Sequence, residues 1–380
     1  MAMREKVLLA ASLAAVALIA LMLVQLLLAW LAPGVVGPFG AFFPVWTWWI
    51  VDFIGYLIAI TVVVAASGLI GRYATRTPLG IEGLRASMLS TSAAVLGGAV
   101  LVFAALASLL GIELTTQLGL VAFLFALVPS LISWLVSPAL INLVYGCRHD
   151  PALQEVVNRV AARAGIKPPK AMVSRLSIPN AFAYSSPLMG RYVAVTEGML
   201  RIARGEELEA VIGHELGHHK HRDNAVILVF GMIPSVIYFL GRFLMYAGLS
   251  TRYYYTDGDR ERSESGGLVM ALAGVALMAA SILIQLGVLA LSRLREFYAD
   301  AHGAKVTSPQ AMARALEELD SYYARSRHAR AVVKDSKLKM LFIYALADPF
   351  VSLEELLSTH PPIRKRIAFL MSLSGREIEA

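Results

Sequence analysis

A chain of 380 residues that is 57% hydrophobic and 16% charged, with a mean hydropathy of +0.64, is too apolar for an ordinary soluble domain, where about a quarter of residues are charged. Its net charge of +7 does not point to nucleic acid, because Lys and Arg gather beside apolar stretches, where they orient a chain in a bilayer and meet anionic head groups. Cys147 is the only cysteine, which excludes an intrachain disulfide and a cysteine-based metal site.

Six stretches reach the length of about 20 apolar residues that a bilayer core demands: 7–32, 44–70, 89–110, 118–145, 225–249 and 268–291. The first exceeds the apolar run of a signal peptide and lacks a small-residue cleavage pattern before Pro33, so it reads as a retained anchor. Trp46, Trp48 and Trp49 open the second, as interfacial aromatics do. Arg4 and Lys6 precede the first span, Arg72, Arg76 and Arg85 follow the second, and Arg293 and Arg295 follow the sixth. The connections after the first and third spans carry neither Lys nor Arg. That asymmetry places both termini, and the polar segments 148–224 and 292–380, on the cytoplasmic side of a cell membrane.

In the first polar segment, residues 152–164 have helical spacing of apolar positions. Short β-like runs follow at 170–174, 181–185 and 192–196, broken by Pro179, Pro187 and Gly190. Residues 206–223 read as a helix, with Glu206 and Glu207 in the first turn as the macrodipole favours. That helix carries His214-Glu215-Leu216-Gly217-His218. Residues four apart share a helical face, so both imidazoles can reach one ion. Glu215 stands beside the first of them, where a carboxylate can take the proton of a zinc-activated water.

A catalytic zinc needs a third protein ligand and an open position. Glu296, directly after the last span and on the same side of the membrane, is the preferred third ligand, and His302 is the alternative. Asp300 shares the helical face of Glu296 and is placed to hydrogen-bond a ligating histidine. The position six residues beyond His218, where another class of zinc protease places its third histidine, is Asn224. His221 is expected to face solvent or head groups. The run Asn180, Ala181, Phe182, Ala183 suits either an edge strand that accepts an extended peptide or a plain structural hairpin. His360, before Pro361 and Pro362, and the cations of the following helix, Arg366 among them, read either as an oxyanion stabiliser or as an ordinary solvent-facing helix start.

Val193 to Leu200, Glu207 to His218, Arg222-Asp223, Arg295-Glu296-Phe297 with Ala299-Asp300, Asn180 to Ala183, and Thr359 to Pro362 with Arg366 together resemble the HtpX-type heat-shock membrane metalloproteases, in the family's order from Arg148 onward. The resemblance implies a gluzincin-like endopeptidase with one zinc on His214, His218 and Glu296 and catalysis by Glu215. It also implies that Asn180 to Ala183 and His360 or Arg366 line the cleft, and that the substrates are membrane or misfolded proteins under quality control and stress. The expected architecture is mainly α: about six transmembrane helices plus a cytoplasmic α+β protease domain with a small sheet. That domain is divided into 148–224 and 292–380 by a membrane hairpin at 225–291, and an N-terminal membrane domain at 1–147 precedes it. Familiar family members carry two spans ahead of the protease domain, whereas four are counted here.

Three other readings compete with this one. An intramembrane protease conflicts with Lys220, His221, Arg222 and Asp223 next to the motif, which are costly in hydrocarbon. A prenyl-protein endoprotease shares the zinc motif and stays open. A transporter or non-catalytic zinc scaffold finds little support: Asp52, Arg242 and Gln285 are the notable polar groups in the spans, and Glu215 is intact. Asp52 and Arg242 are expected to pair between helices. No nucleic-acid partner is expected.

Overall fold

The computed structural model describes residues 57–58, 61–62, 65, 75–250, 260–326 and 359–374. The expected span 7–32, nearly all of 44–70, Asp52 and its pairing with Arg242 lie outside the described residues. Four helices among them are long and apolar enough to cross a membrane: α1 (Gly80–Leu110), α2 (Ile112–Val144), α6 (Asp223–Ser250) and α7 (Arg260–Val306), the apolar part of the last being Gly266–Val306. These carry the four later expected spans. The last is longer than expected. No proline stands between residue 291 and Val306, so the backbone ladder continues through Glu296 and Asp300 to Val306.

The chain forms two compact units. The first includes Val95–Ile132 and Phe230–Gln285, which take in the C-terminal parts of α1 and α6 and the N-terminal parts of α2 and α7. There α1 and α2 turn Leu96, Val100, Leu101, Leu120 and Phe123 outward, as helices facing lipid do. Helices α6 and α7 approach backbone to backbone: a Cβ added at Gly241 would stand 2.8 Å from the Gly274 carbonyl oxygen.

The second unit, Ser67–Ala94, Ser133–Val229 and Leu286–Ala380, is the α+β body. Strands β1 (Arg148–His149), β2 (Lys170–Ser174), β3 (Ala181–Ser186) and β4 (Gly190–Thr196) form one sheet in the order β1-β2-β4-β3. β2 and β4 are parallel and the other pairs antiparallel, which leaves one edge of β3 free of any strand among the described residues. Helix α3 (Pro151–Ala164) begins at Asp150, whose side chain accepts from Leu153 N–H, and ends at Gly165 in the left-handed region with φ +67°. It packs Val157 and Val160 against Ala171, Val193, Val195 and Ile212. After the short α4 (Glu197–Ile202) comes α5 (Glu206–Lys220), whose first turn carries Glu206, Glu207 and Glu209. Helix α8 (Pro309–Arg325) starts at Ser308, which caps Ala311 N–H, and sets Met312, Leu316 and Leu319 into the same core. Helix α9 (Ile363–Leu373) adds Ile363 and Leu370.

The expected helix over 206–223 stops at Lys220. Arg222 takes φ +54° and is the one non-glycine with positive φ among the described residues, so the chain turns and a new helix begins at Asp223. His221 therefore does not face solvent as expected. It is half-buried with its ring 4.1 Å from that of Tyr298.

Candidate active site

Glycines let α5 meet α7 closely enough for their side chains to share one ion. Gly213 and Gly217 lie one turn apart on α5, facing Ala299 and Gly303 on α7. A Cβ at Gly217 would stand 3.1 Å from the Ala299 Cα, and one at Gly303 would stand 2.8 Å from the Ala210 carbonyl oxygen. With the backbones this near, Glu296 on α7 reaches His214 and His218 on α5. One donor atom from each of the three lies within 4.8 Å of the others. His214 Nε2 is 3.7 Å from Glu296 Oε2, and His218 Nε2 is 3.6 Å from Glu296 Oε1.

The hydrogen bonds around the trio decide which nitrogens stay available. His214 Nδ1 donates to Asp300 Oδ1 at 2.9 Å, and His218 Nδ1 donates to Asp223 Oδ2 at 2.6 Å. In the neutral rings each Nε2 keeps its lone pair, and the two Nε2 atoms stand 3.2 Å apart, where both can converge on one cation. Tetrahedral zinc with nitrogen ligands at about 2.0–2.1 Å would hold them about 3.3 Å apart. Glu296 Oε2 is buried without a hydrogen-bond partner among the described residues, as a carboxylate oxygen that binds a metal would be. The donor set fits zinc on chemistry and on spacing.

Each carboxylate that orients a histidine is itself clamped. Arg366, fully buried at the second turn of α9, donates from Nε and Nη2 to Asp300 at 2.8 and 2.5 Å. Burial pulls its pKa down, but Asp300 outweighs burial and holds the guanidinium above its ordinary value. Arg295 Nη2 donates to Asp223 and to the His221 carbonyl, tying α7 to the start of α6. For His218, burial lowers the pKa while Asp223 raises it, and the free imidazole ends at about 10. An arriving metal must therefore displace a proton from this ring.

Glu215 is buried, and burial pushes its carboxyl pKa up against the pull of His214 and His218. Its carboxylate is hydrogen-bonded by the backbone of Ala183 in β3. In β3 the main-chain groups of Phe182 and Tyr184 face β4. Those of Ala181, Ala183 and Ser185 point the other way, because Thr196 N–H donates to the Asn180 carbonyl and ladder bonds alternate. The free edge thus runs past Glu215. Asn180 is buried at the root of the strand, its N–H donating to Thr196 Oγ1, and Phe182 packs its ring against Tyr145. His360 Nε2 lies 3.5 Å from Glu296 Oε1, and burial lowers its pKa.

His302, the alternative third ligand, is not part of this group: its Nδ1 donates to the Gly213 carbonyl at 2.9 Å. Asp223 and Arg295 were missed as site residues. The only signals were an acidic residue just past the motif and a basic one next to Glu296, and neither shows where the helix breaks.

The family model for Peptidase family M48 matches residues 148–374. A protease HtpX homolog of Archaeoglobus fulgidus is 45% identical over 272 residues, covering 67% of this chain and 77% of the relative. One of Pyrobaculum calidifontis is 46% identical over 275 residues, with the same coverage of each. Among solved structures, S. mikatae Ste24p aligns at 18% identity with a TM-score of 0.48, over 84% of this chain and 75% of that one. The family match spans more than half of the chain and contains the whole His/His/Glu cluster, and the apolar helices accompany it. The chain belongs to peptidase family M48, as a membrane metalloprotease.

Proposed function

We propose that the chain is a zinc-dependent endopeptidase that hydrolyses membrane or misfolded proteins at the cytoplasmic face of the cell membrane. The observation that carries this reading is the convergence of His214 Nε2, His218 Nε2 and Glu296 in a buried cluster beside Glu215 and the free edge of β3. In this reading His214, His218 and Glu296 hold one zinc. When bound, the ion lowers the pKa of a water and polarises the scissile carbonyl. Glu215 accepts a proton at its carboxylate, and its raised affinity for protons suits that task. A substrate segment adds as a strand to β3, held by main-chain groups of Ala181 and Ala183, which makes binding tolerant of sequence.

Two basic side chains assist differently, Arg366 as a cation and His360 as a hydrogen-bond donor. Arg366, paired with Asp300, keeps the His214 ring in place; His360, nearer the open side of Glu296, is the group placed to meet a developing oxyanion. Asn180 and Phe182 act as supports of the strand. The division of the chain into a membrane part at 1–147, two protease segments at 148–224 and 292–380, and a membrane hairpin at 225–291 belongs to the same proposal. So does the cytoplasmic location of both termini, supported by the Lys and Arg on the short loops.

The test uses the purified full chain in detergent, with zinc content and casein cleavage measured on the same samples. Glu215→Ala is expected to lose about 10²-fold or more of the activity while retaining zinc. Glu296→Ala is expected to lose the metal. Cleavage that survives Glu215→Ala and a chelator refutes the reading; full zinc in Glu296→Ala moves the third ligand to His302 or elsewhere.

A further inference from the structure

The hairpin joining β3 to β4 ends in Pro187-Leu188-Met189, and within the second unit it is wedged between the ends of two membrane-crossing helices. On one side the Tyr184 hydroxyl donates to Asn142 Oδ1 at 2.5 Å, in the last turn of α2, and Met189 packs in a cluster with Ile141 and Tyr145. On the other side Asn224 Nδ2, in the first turn of α6, donates to the Ser185 hydroxyl at 3.4 Å. Both helices have the length and apolarity to span a bilayer, and these are their ends beside the α+β body.

Three contacts give the hairpin its direction. Ala183 meets Glu215; Tyr192, paired with Tyr184, accepts from His219 Nε2 at 2.8 Å; Ser185 meets Asn224. The strands thus advance along α5 toward its C-terminal end and arrive at the start of α6. At about 3.3 Å per residue, the remaining residues carry the tip roughly 7–10 Å beyond that level. Leu188 there is 77% exposed. Arg191 and Lys170 beside the tip are exposed cations, and residues 181–196 contain no Asp or Glu. A single exposed leucine is ordinary in water. This one projects at the level where two spans end, with cations around it and no opposing charge on its hairpin.

We infer that the tip of the β3–β4 hairpin contacts the bilayer that the chain itself spans, with Leu188 in the interfacial layer and Arg191 against anionic head groups. The contact stands apart from catalysis. Its consequence for cleavage, which rests on the proposed function, is that the edge of β3 is held at the membrane surface with the segment beside Glu215 open to a chain emerging from lipid.

The test places a nitroxide at Leu188→Cys, and separately at Arg204→Cys, exposed on the loop before α5 and so at the opposite end of that helix, each in a Cys147→Ala background. The full chain is reconstituted in phosphatidylcholine–phosphatidylglycerol vesicles, and collisions with oxygen and with a water-soluble nickel chelate are compared. The Leu188 label is expected to show an oxygen-to-nickel ratio several-fold above that of the Arg204 label. Equal ratios overturn the inference, and so does a Leu188 label shielded from both reagents, which indicates a protein partner. The Glu215→Ala chain is expected to give the same Leu188 result, so a failure of the catalytic reading leaves this measurement intact.

Discussion

Gly303→Ala tests the claim that the site depends on the close approach of α5 and α7. In a helix interior, glycine to alanine ordinarily stabilises by about 1 kcal/mol, so propensity alone predicts a gain. The structure predicts a loss. The new Cβ would lie 2.8 Å from the Ala210 carbonyl oxygen, 3.0 Å from Met312 Sδ and 3.2 Å from the His214 amide nitrogen. The first gap falls about 0.7 Å short of the near end of an optimal non-bonded contact, and its partner is backbone that cannot rotate away. Overpacking of this kind costs about 1–3 kcal/mol. The helices must part by several tenths of an ångström, and Glu296, two turns along α7 on a similar face, moves with them. Functional constellations tolerate about 0.5 Å of error, so zinc affinity should fall along with stability. The assay is thermal unfolding and zinc competition with a chelator, in detergent. Gly83→Ala in α1, where nothing lies within 4 Å, serves as the control and should gain or hold stability. A Gly303→Ala chain that is stabilised like the control, with zinc affinity unchanged, refutes the argument.

Replacing the carboxylates behind the histidines should weaken zinc binding by about 10–100-fold for Asp223→Ala and for Asp300→Ala. The Asp300 variant should also lose more stability, because it strands the buried Arg366; equal effects on stability would count against the clamp. His219 is buried with Nε2 on the Tyr192 carbonyl, and burial lowers its pKa from 6.5 to about 4. The neutral form belongs to the folded state, so its contribution is present above pH 6.5 and is lost as pH falls toward 4, about 3 kcal/mol in all. His219→Gln, which keeps a donor for Tyr192, should flatten the acid slope of the unfolding temperature; an unchanged slope assigns it to other groups.

Much of the α+β body was legible because it rests on local signals. Three strands fall at the expected positions, with β3 longer by one residue and β4 by two, since Pro179, Pro187 and Gly190 punctuate them. The His-Glu-x-x-His spacing and the four-residue step from Glu296 to Asp300 follow from helical periodicity alone. What escaped has long-range causes. The break after Lys220 is made by an arginine at positive φ, a conformation that residue type does not announce. The pairing of Asp300 with Arg366 joins residues 66 apart, and no periodicity reports it. The glycines at 213, 217 and 303 carry no signal of their own in the sequence, because their meaning lies in which two helices touch.

That 66-residue separation also has a meaning in time. At ribosomal rates of about 5–20 residues per second, Asp300 is made roughly 3–13 s before Arg366. For that interval a nascent chain holds His214, Glu215, His218 and Glu296 but lacks the cation that neutralises Asp300 behind the first ligand. Until then the carboxylate behind His214 has no cation beside it, so among the described elements the site is completed by the docking of α9, the one made latest.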